Sequence, residues 1–361
     1  MADSLRDELV ALTCDLVRYE SIAARPDQLI ATIDYVEQYL NDIPDLLIER
    51  SIADGKPALV VSLRGTRTPK LMLNGHLDVV FGRPHQFEPE VRDDRIYARG
   101  SQDMKGSVAV MLRLIRDLAA LPERPDVGFQ FVTDEEIGGE HGTGRLLQEG
   151  WRCGFMLCLE PTDLGILYEH KGGMWIELTL PGRPSHGSRP WDGHNPVYDL
   201  ADGLAQVRQR FPIPAGSHDW RTTVTPTVLS TGAGSRNQVP AAAEVQFDIR
   251  FVAEDDPEAI QAAVLACFPG ATLSVSTVGP GLRTDPEHTE VCAVADVIGE
   301  RTGETPRFYR EHFATDARYY TNAGIPAICV GPVGAGLHSD EEWVSIEGLV
   351  DLYAILRMYI G

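Results

Sequence analysis

LMLNGHLDVV (residues 71–80) runs apolar until it ends on His76 and Asp78. Four further segments are built the same way: ARGSQDMKG (98–106) carries Asp103, TDEEIGG (133–139) carries Glu135 and Glu136, LCLEPT (157–162) ends on Glu160, and GPVGAGLHSD (331–340) holds His338. Two imidazoles and several carboxylates at strand-to-loop junctions form a mixed nitrogen and oxygen donor set. Such a set suits two zinc-like ions with a water between them, so the pattern points to metal-assisted hydrolysis.

Outward from these motifs, helix and strand alternate as far as about Gly173. Helices are expected near Ser4–Tyr19 and Pro26–Leu40, then the strands ALVVSL and LMLNG. A helix follows over Gly106–Leu121, with Val108, Met111, Leu112, Ile115 and Leu118 on its apolar face, and then the strands VGFQFV and FMLCLE. This order predicts an α/β fold, a mostly parallel sheet with helices on both faces and functional residues at the strand ends. From Met174 to Arg283 the style changes to strand, helix, strand, strand, helix, strand, which predicts an inserted split βαβ (βαββαβ, ferredoxin-like) domain. The expected organisation is therefore a catalytic domain in two parts, 1–173 and 284–361, interrupted by an insertion at 174–283.

In an extended segment His76 and Asp78 share one face, so the Asp78 carboxylate can accept from the His76 nitrogen that is not on a metal. Asp103, with its two oxygens, can bridge two cations; alone, it could equally cap the helix that follows. Glu135 and Glu136 diverge at a strand end, which lets one bind metal while the other stays unligated as general base; alone, two acids before glycines could be a solvated turn. Glu160 ends an interior apolar run, where a carboxylate needs a partner and a metal is the simplest one. A loop histidine such as His338 could also be merely exposed.

Composition excludes several classes. The 361 residues carry a formal charge of -21, which argues against nucleic acid and anionic membranes as partners, and no apolar run is long enough to span a bilayer. The N-terminus reads as an acidic amphipathic helix without a basic leader, so a cytoplasmic protein is expected. Six scattered cysteines form no CxxC pair and read as buried thiols, and no G-x-S-x-G elbow occurs, which sets aside serine and cysteine hydrolases.

The five motifs in this order, with the split βαβ insertion between the fourth and fifth, resemble the M20 zinc metallopeptidase and deacylase family. That family contains acetylornithine deacetylase, succinyl-diaminopimelate desuccinylase, aminoacylase and glutamate carboxypeptidase. The resemblance implies one zinc on His76, Asp103 and Glu160 and a second on Asp103, Glu136 and His338, with Co²⁺ or Mn²⁺ as possible substitutes. It implies that Glu135 is the general base toward the bridging water, that Asp78 orients His76, and that the Asp103–Met104 peptide is cis. The insertion resembles the family's lid and dimerisation domain, which implies a homodimer. His186, in GRPSHGSRP, then corresponds to the oxyanion-stabilising histidine, in cis or from a partner subunit. Asn237 (SRNQVP) and Arg250 (FDIRF) match substrate-contacting positions; either could be structural, Asn237 as a turn residue and Arg250 as a salt bridge on the lid sheet. The implied reaction is deacylation of an N-acyl amino acid, with a carboxypeptidase, dipeptidase or desuccinylase as alternatives. FATDARYYTNAGIP resembles the deacetylase and aminoacylase branch. A scaffold with a degenerate site is disfavoured, because every matched ligand and Glu135 are present.

Overall fold

The structure is a computed structural model that describes residues 2–232 and 235–361. The chain separates into two compact units. One runs to Glu169 and resumes at Leu282–Arg310 and Thr315–Gly361; the other comprises His170–Gly281 and Glu311–Ala314. The pattern change read at Met174 thus falls inside the strand Gly172–Pro181. Glu311–Ala314, which the sequence placed with the catalytic part, groups with the insertion.

A nine-stranded sheet organises the first unit. Its path runs Leu47–Ala53, Lys56–Ser62, Val127–Val132, Leu71–His76, Phe155–Cys158, Ala327–Cys329, Ile166–His170, Leu282–Arg283, and Phe308–Glu311 also pairs with Ile166–His170. The central four, Val127–Val132 to Ala327–Cys329, are parallel, whereas the neighbouring strands Lys56–Ser62 and Ile166–His170 join them antiparallel. Interior parallel strands lack a wet face, which is why VGFQFV and FMLC are apolar almost throughout.

Alternate side chains still sort to opposite faces. Leu59, Val61, Leu71, Leu73, Phe155 and Leu157 pack with residues of the helices Ala2–Val17, Pro26–Leu40, Gly106–Ala119, Thr289–Thr302 and Ile346–Ile360. Ala58, Val60, Met72, Met156 and Cys158 face the other way, onto Leu146, Ala317 and Tyr320 of two short helices. Each fully buried Phe or Leu here contributes about 1.5–3 kcal/mol of hydrophobic stabilisation. The helix Gly106–Ala119 is buried on nearly every side, so it reads as apolar well beyond one stripe.

Register brings the motifs together. His76 pairs with Val132, Asn74 with Cys158, and Cys158 with Cys329. The loops carrying Asp78, Glu135, Glu136 and Glu160 therefore leave one edge of the sheet, the carboxyl ends of its parallel strands, where open α/β sheets place ligands.

In the second unit four antiparallel strands lie in the order Thr223–Ser230, Ala242–Phe251, Gly172–Pro181, Thr272–Gly279. Residues of the helices Pro196–Arg210 and Pro257–Leu265 pack on one face of this sheet, as the period-two burial of Gly172–Pro181 requires. Asn195 and Asp256 cap those helices, each with proline at the first helical position. The chain order and the spatial order, second, third, first, fourth, are those of a split βαβ unit.

Candidate metal centre

His76 ends its strand with the ring fully buried. Its Nδ1 lies 2.9 Å from the carbonyl oxygen of Asp78, so it is the donor there and Nε2 is left as the ligand-type nitrogen. Nε2 points at two carboxylates, 2.9 Å from Asp103 Oδ1 and 3.8 Å from Glu160 Oε2. The imidazole of His338 reaches Asp103 from the other side: its Nε2 is 3.2 Å from Asp103 Oδ2 and 3.5 Å from Glu136 Oε1. One carboxylate therefore presents one oxygen to each imidazole, and each imidazole has a second carboxylate beside it. Potential ligand atoms of His76, Glu135 and Glu160 lie within 4.8 Å of one another, as do those of His76, Asp103 and Glu136, so Glu135 belongs to the same cluster.

The backbone is specialised around these groups. Asp103 sits in the wide turn Ser101–Lys105, and its peptide bond to Met104 is cis. Gly100, at φ +79°, opens that turn; a Cβ there would fall 2.6 Å from Val79 Cγ1. His338 itself adopts φ +59°, a region uncommon for a non-glycine residue. After Glu135 and Glu136 the chain turns through Gly138 and Gly139 with positive φ, and a Cβ on Gly139 would collide with the Asp316 carboxylate.

Asp78 departs from the sequence reading. Its carboxylate is 3.6 Å from His76 Nδ1, outside hydrogen-bond range, because the nearer acceptor is its own carbonyl. The two carboxylate oxygens instead accept from the backbone N–H groups of Glu135 and Glu136, at 3.2 and 3.0 Å. Asp78 thus orients the imidazole through its main chain and fixes the glutamate turn through its side chain.

So many acids in one buried place cannot all ionise unaided. Burial pushes Glu160 up to about 7 and Asp78 up to about 7, with Asp134 and Glu136 adding to the latter. Burial and the nearby Glu160 also carry Glu135 well above the usual carboxylate range. For Asp103 burial pulls upward, but hydrogen bonds with His338 and His76 prevail and hold it below that range. His76 is raised well above the imidazole range by Asp103 and Glu160 against its burial, and His338 is raised to about 10 by Asp103 and Glu136. A bridging carboxylate between two imidazoles, with a concentration of buried negative charge, fits a pair of divalent cations. His76, Asp103 and Glu160 could hold one ion, and Asp103, Glu136 and His338 the other.

In the second unit, His186 and Asn237 are exposed and close, with Asn237 Nδ2 3.4 Å from His186 Nε2. Ser188 Oγ is 2.8 Å from the His186 Nδ1. The half-buried Arg250 is engaged by Asp248 on its own strand, Nε to Oδ1 at 2.7 Å and Nη2 to Oδ2 at 3.0 Å. The salt bridge weighed for Arg250 is therefore present; Nη1 takes no part in it.

Several buried groups at the centre carry no signal in the sequence. Arg99 and Glu342 form an ion pair, and Glu342 also accepts two backbone N–H groups beside Asp103. Arg318 Nη2 and the Tyr319 hydroxyl each donate to the Gly138 carbonyl at 2.5 Å, holding the turn after Glu136. Arg99 lies in the motif ARGSQDMKG, Glu342 in DEEW, and Arg318 and Tyr319 in DARYY, and no local pattern singles out any of them; only long-range pairing gives them a role.

Residues 72–361 match Peptidase family M20/M25/M40. A succinyl-diaminopimelate desuccinylase of Dechloromonas aromatica is 28% identical over 324 residues, covering 81% of this chain and 83% of that protein. Its counterpart from Xanthomonas campestris pv. campestris is 29% identical over 317 residues, with 82% and 84% covered. Among solved structures, aminopeptidase PepT from Bacillus cereus matches with a TM-score of 0.80 at 19% identity, covering 98% of this chain and 97% of that one. The M20 family metallo-carboxypeptidase Sso-CP2 from Sulfolobus solfataricus gives 0.78 at 18%, covering 98% of both. These structural likenesses establish the fold. The two curated relatives are desuccinylases and lend no support to the deacetylase branch suggested by FATDARYYTNAGIP. Among the described residues no helix is long and apolar enough to cross a membrane.

Proposed function

This chain belongs to Peptidase family M20/M25/M40 and is a metal-dependent amide hydrolase, and we propose that it cleaves the amide bond of an N-acyl amino acid. The observation that carries the proposal is Asp103, with one oxygen facing His76 and the other facing His338. When bound, a pair of divalent ions, Zn²⁺ in the first instance, supplies Lewis acidity and a water of lowered pKa. His76, Asp103 and Glu160 would hold one ion, and Asp103, Glu136 and His338 the other.

Glu135, unligated but inside the cluster, takes the proton of the attacking water on its carboxylate and returns it to the leaving nitrogen. Its burial suits this work, since a carboxyl raised toward neutrality can both accept and give up a proton. Asp78 keeps Glu135 and Glu136 aimed by holding their amides. We assign His186 to the carbonyl oxygen that becomes the oxyanion, from the same subunit or from the partner of a homodimer formed through the inserted unit. Asn237 assists it, and Arg250 offers Nη1 to a substrate carboxylate while Asp248 steadies its fork.

Succinyl is the first acyl group to test, because that is what the relatives' names specify; acetyl is the second. The test is amine release from N-succinyl and N-acetyl amino acids and dipeptides, with Zn²⁺ or Co²⁺ and a chelated control. Metal-dependent release from an N-acyl amino acid is expected. Release from dipeptides alone would replace the deacylase reading with a peptidase.

A further inference from the structure

We propose that Glu342 is a positioning residue of the metal centre, a latch joining the loop that carries Asp103 to the loop that carries His338. This rests on the reading of Asp103 and His338 as ligands, and it adds a residue four positions beyond His338 that neither metal nor substrate is expected to touch.

Glu342 is 3% exposed, and its side chain and carbonyl oxygen bond one neighbouring segment at several points. Oε1 accepts from the backbone N–H of Gln102 at 3.1 Å and of Asp103 at 3.2 Å. Oε2 accepts from Arg99 Nη1 at 2.5 Å, and the Glu342 carbonyl oxygen accepts from Ala98 N–H at 3.2 Å. Next along the chain, Trp343 pairs with Tyr97. The run Ala98–Asp103 is thus bound at four points to one residue. That residue's own backbone leads, through Glu341, Asp340 and Ser339, to His338 at its positive φ.

A carboxylate that accepts two successive amides fixes the plane of the peptide between them, here the one that leads into Asp103. Asp103 must aim its two oxygens at two imidazoles at once, so rotation of that peptide would misplace both directions together. The Arg99 guanidinium takes Oε2, which leaves Oε1 to the two amides. The ion pair by itself is not what stability demands, since an apolar pair of similar volume can replace a buried ion pair without loss; the two amides, by contrast, need an acceptor. An acceptor aimed at those two amides adds to the turn's own bonds, such as Lys105 N–H to the Gly100 carbonyl at 2.8 Å, a tie to the loop of His338. Asp78 does the same for Glu135 and Glu136, so the turns of Asp103 and Glu136 share one device: a buried carboxylate holding consecutive backbone amides.

The test uses the full chain as wild type, as Glu342→Gln, and as the double variant Arg99→Met/Glu342→Leu. Three quantities are measured: the unfolding midpoint, hydrogen exchange of the Gln102 and Asp103 amides in metal-free protein, and Zn²⁺ affinity by chelator competition. The double variant is expected to stay folded with a lowered midpoint, because the buried Gln102 and Asp103 amides lose their acceptor. Those two amides should exchange faster than the lowered midpoint alone accounts for, and Zn²⁺ affinity should fall about 10- to 100-fold, the usual range for groups that orient metal ligands. Glu342→Gln, whose amide oxygen can still accept, should lie between. A folded double variant with wild-type Zn²⁺ affinity overturns the latch and leaves Glu342 merely structural. Should the double variant not fold, unchanged exchange and affinity in Glu342→Gln overturn it equally. A wild-type chain that takes up no Zn²⁺ overturns the ligand assignments and the latch with them, whereas wild-type uptake with unaffected variants overturns the latch alone.

Discussion

In the sheet unit, His76, Asp103 and Glu160 are buried, and Asp103 lies within 3.2 Å of two imidazoles. In the inserted unit, His186 and Asn237 are exposed, their mutual contact is a long 3.4 Å, and the fork of Arg250 is turned on Asp248. Except for His338, whose ring is about half exposed, the first set is built like a core, fixed by strand ends, glycine turns and carboxylates that grip backbone amides. The second is built like a surface. Groups that hold cations need placement to within about half an ångström, whereas groups that meet a substrate must first admit it. Substitutions in the two units should therefore fail differently, the first through metal or proton handling and the second through rate and substrate affinity with metal intact.

The largest effect is expected at Glu135. Glu135→Gln should lower kcat by about 10²–10⁴ while leaving metal content unchanged, as elemental analysis beside turnover will show. Turnover at the wild-type level would remove Glu135 as the base. His186→Ala should cost kcat about 10²–10³ with full metal content. Mixing His186→Ala with Glu135→Gln chains should then restore activity if the histidine works across a dimer; mixed dimers without recovery would place it in cis. Arg250→Ala should act mainly on KM for substrates with a free carboxylate, by about tenfold, with kcat nearly kept; a loss confined to kcat would return Arg250 to a purely structural pair with Asp248.

The smallest effect is one of pH on the metal-free protein. Glu160 rises from 4.5 to about 7 and Asp78 from 3.8 to about 7, both chiefly by burial. Their folded pKa values lie above the unfolded ones, so the folded chain binds more protons across that window and its stability falls as pH rises through it. His338 has the same sign: its contribution is complete below 6.5 and is lost toward about 10. Asp103 opposes them, but only below its ordinary 3.8. Metal binding requires those protons to leave, so stabilisation by Zn²⁺ should widen as the metal-free protein weakens. Unfolding midpoints at pH 5 and pH 8, with Zn²⁺ and with chelator, check this; a metal-free protein that gains stability from pH 5 to pH 8 would contradict it.

In the sheet unit the ligands were legible in sequence. Its ligands end apolar runs, and an apolar strand that stops on a charge marks both an element boundary and a chemical site. The split βαβ order was equally plain, because its strands alternate and its helices begin at Asn-Pro and Asp-Pro. What periodicity did not reveal was pairing at a distance. Leu47–Ala53 is an edge strand that is only partly buried, so no apolar run marks it. Glu342 and Arg99 are 243 residues apart, and each reads locally as an ordinary surface charge. The Asp78 carboxylate looked like a partner for His76 because spacing puts them on one face. Spacing says nothing of the two amides, 57 and 58 residues on, that claim it instead.

Asp103 is the centre of the account, and counting zinc tests it most directly. Wild-type and Asp103→Ala chains would be reconstituted with Zn²⁺, freed of excess and measured by elemental analysis against protein concentration. Two ions per wild-type chain, with both lost from Asp103→Ala, is the predicted result. Two ions retained by Asp103→Ala, or one or none in the wild type, would contradict a centre bridged by that carboxylate.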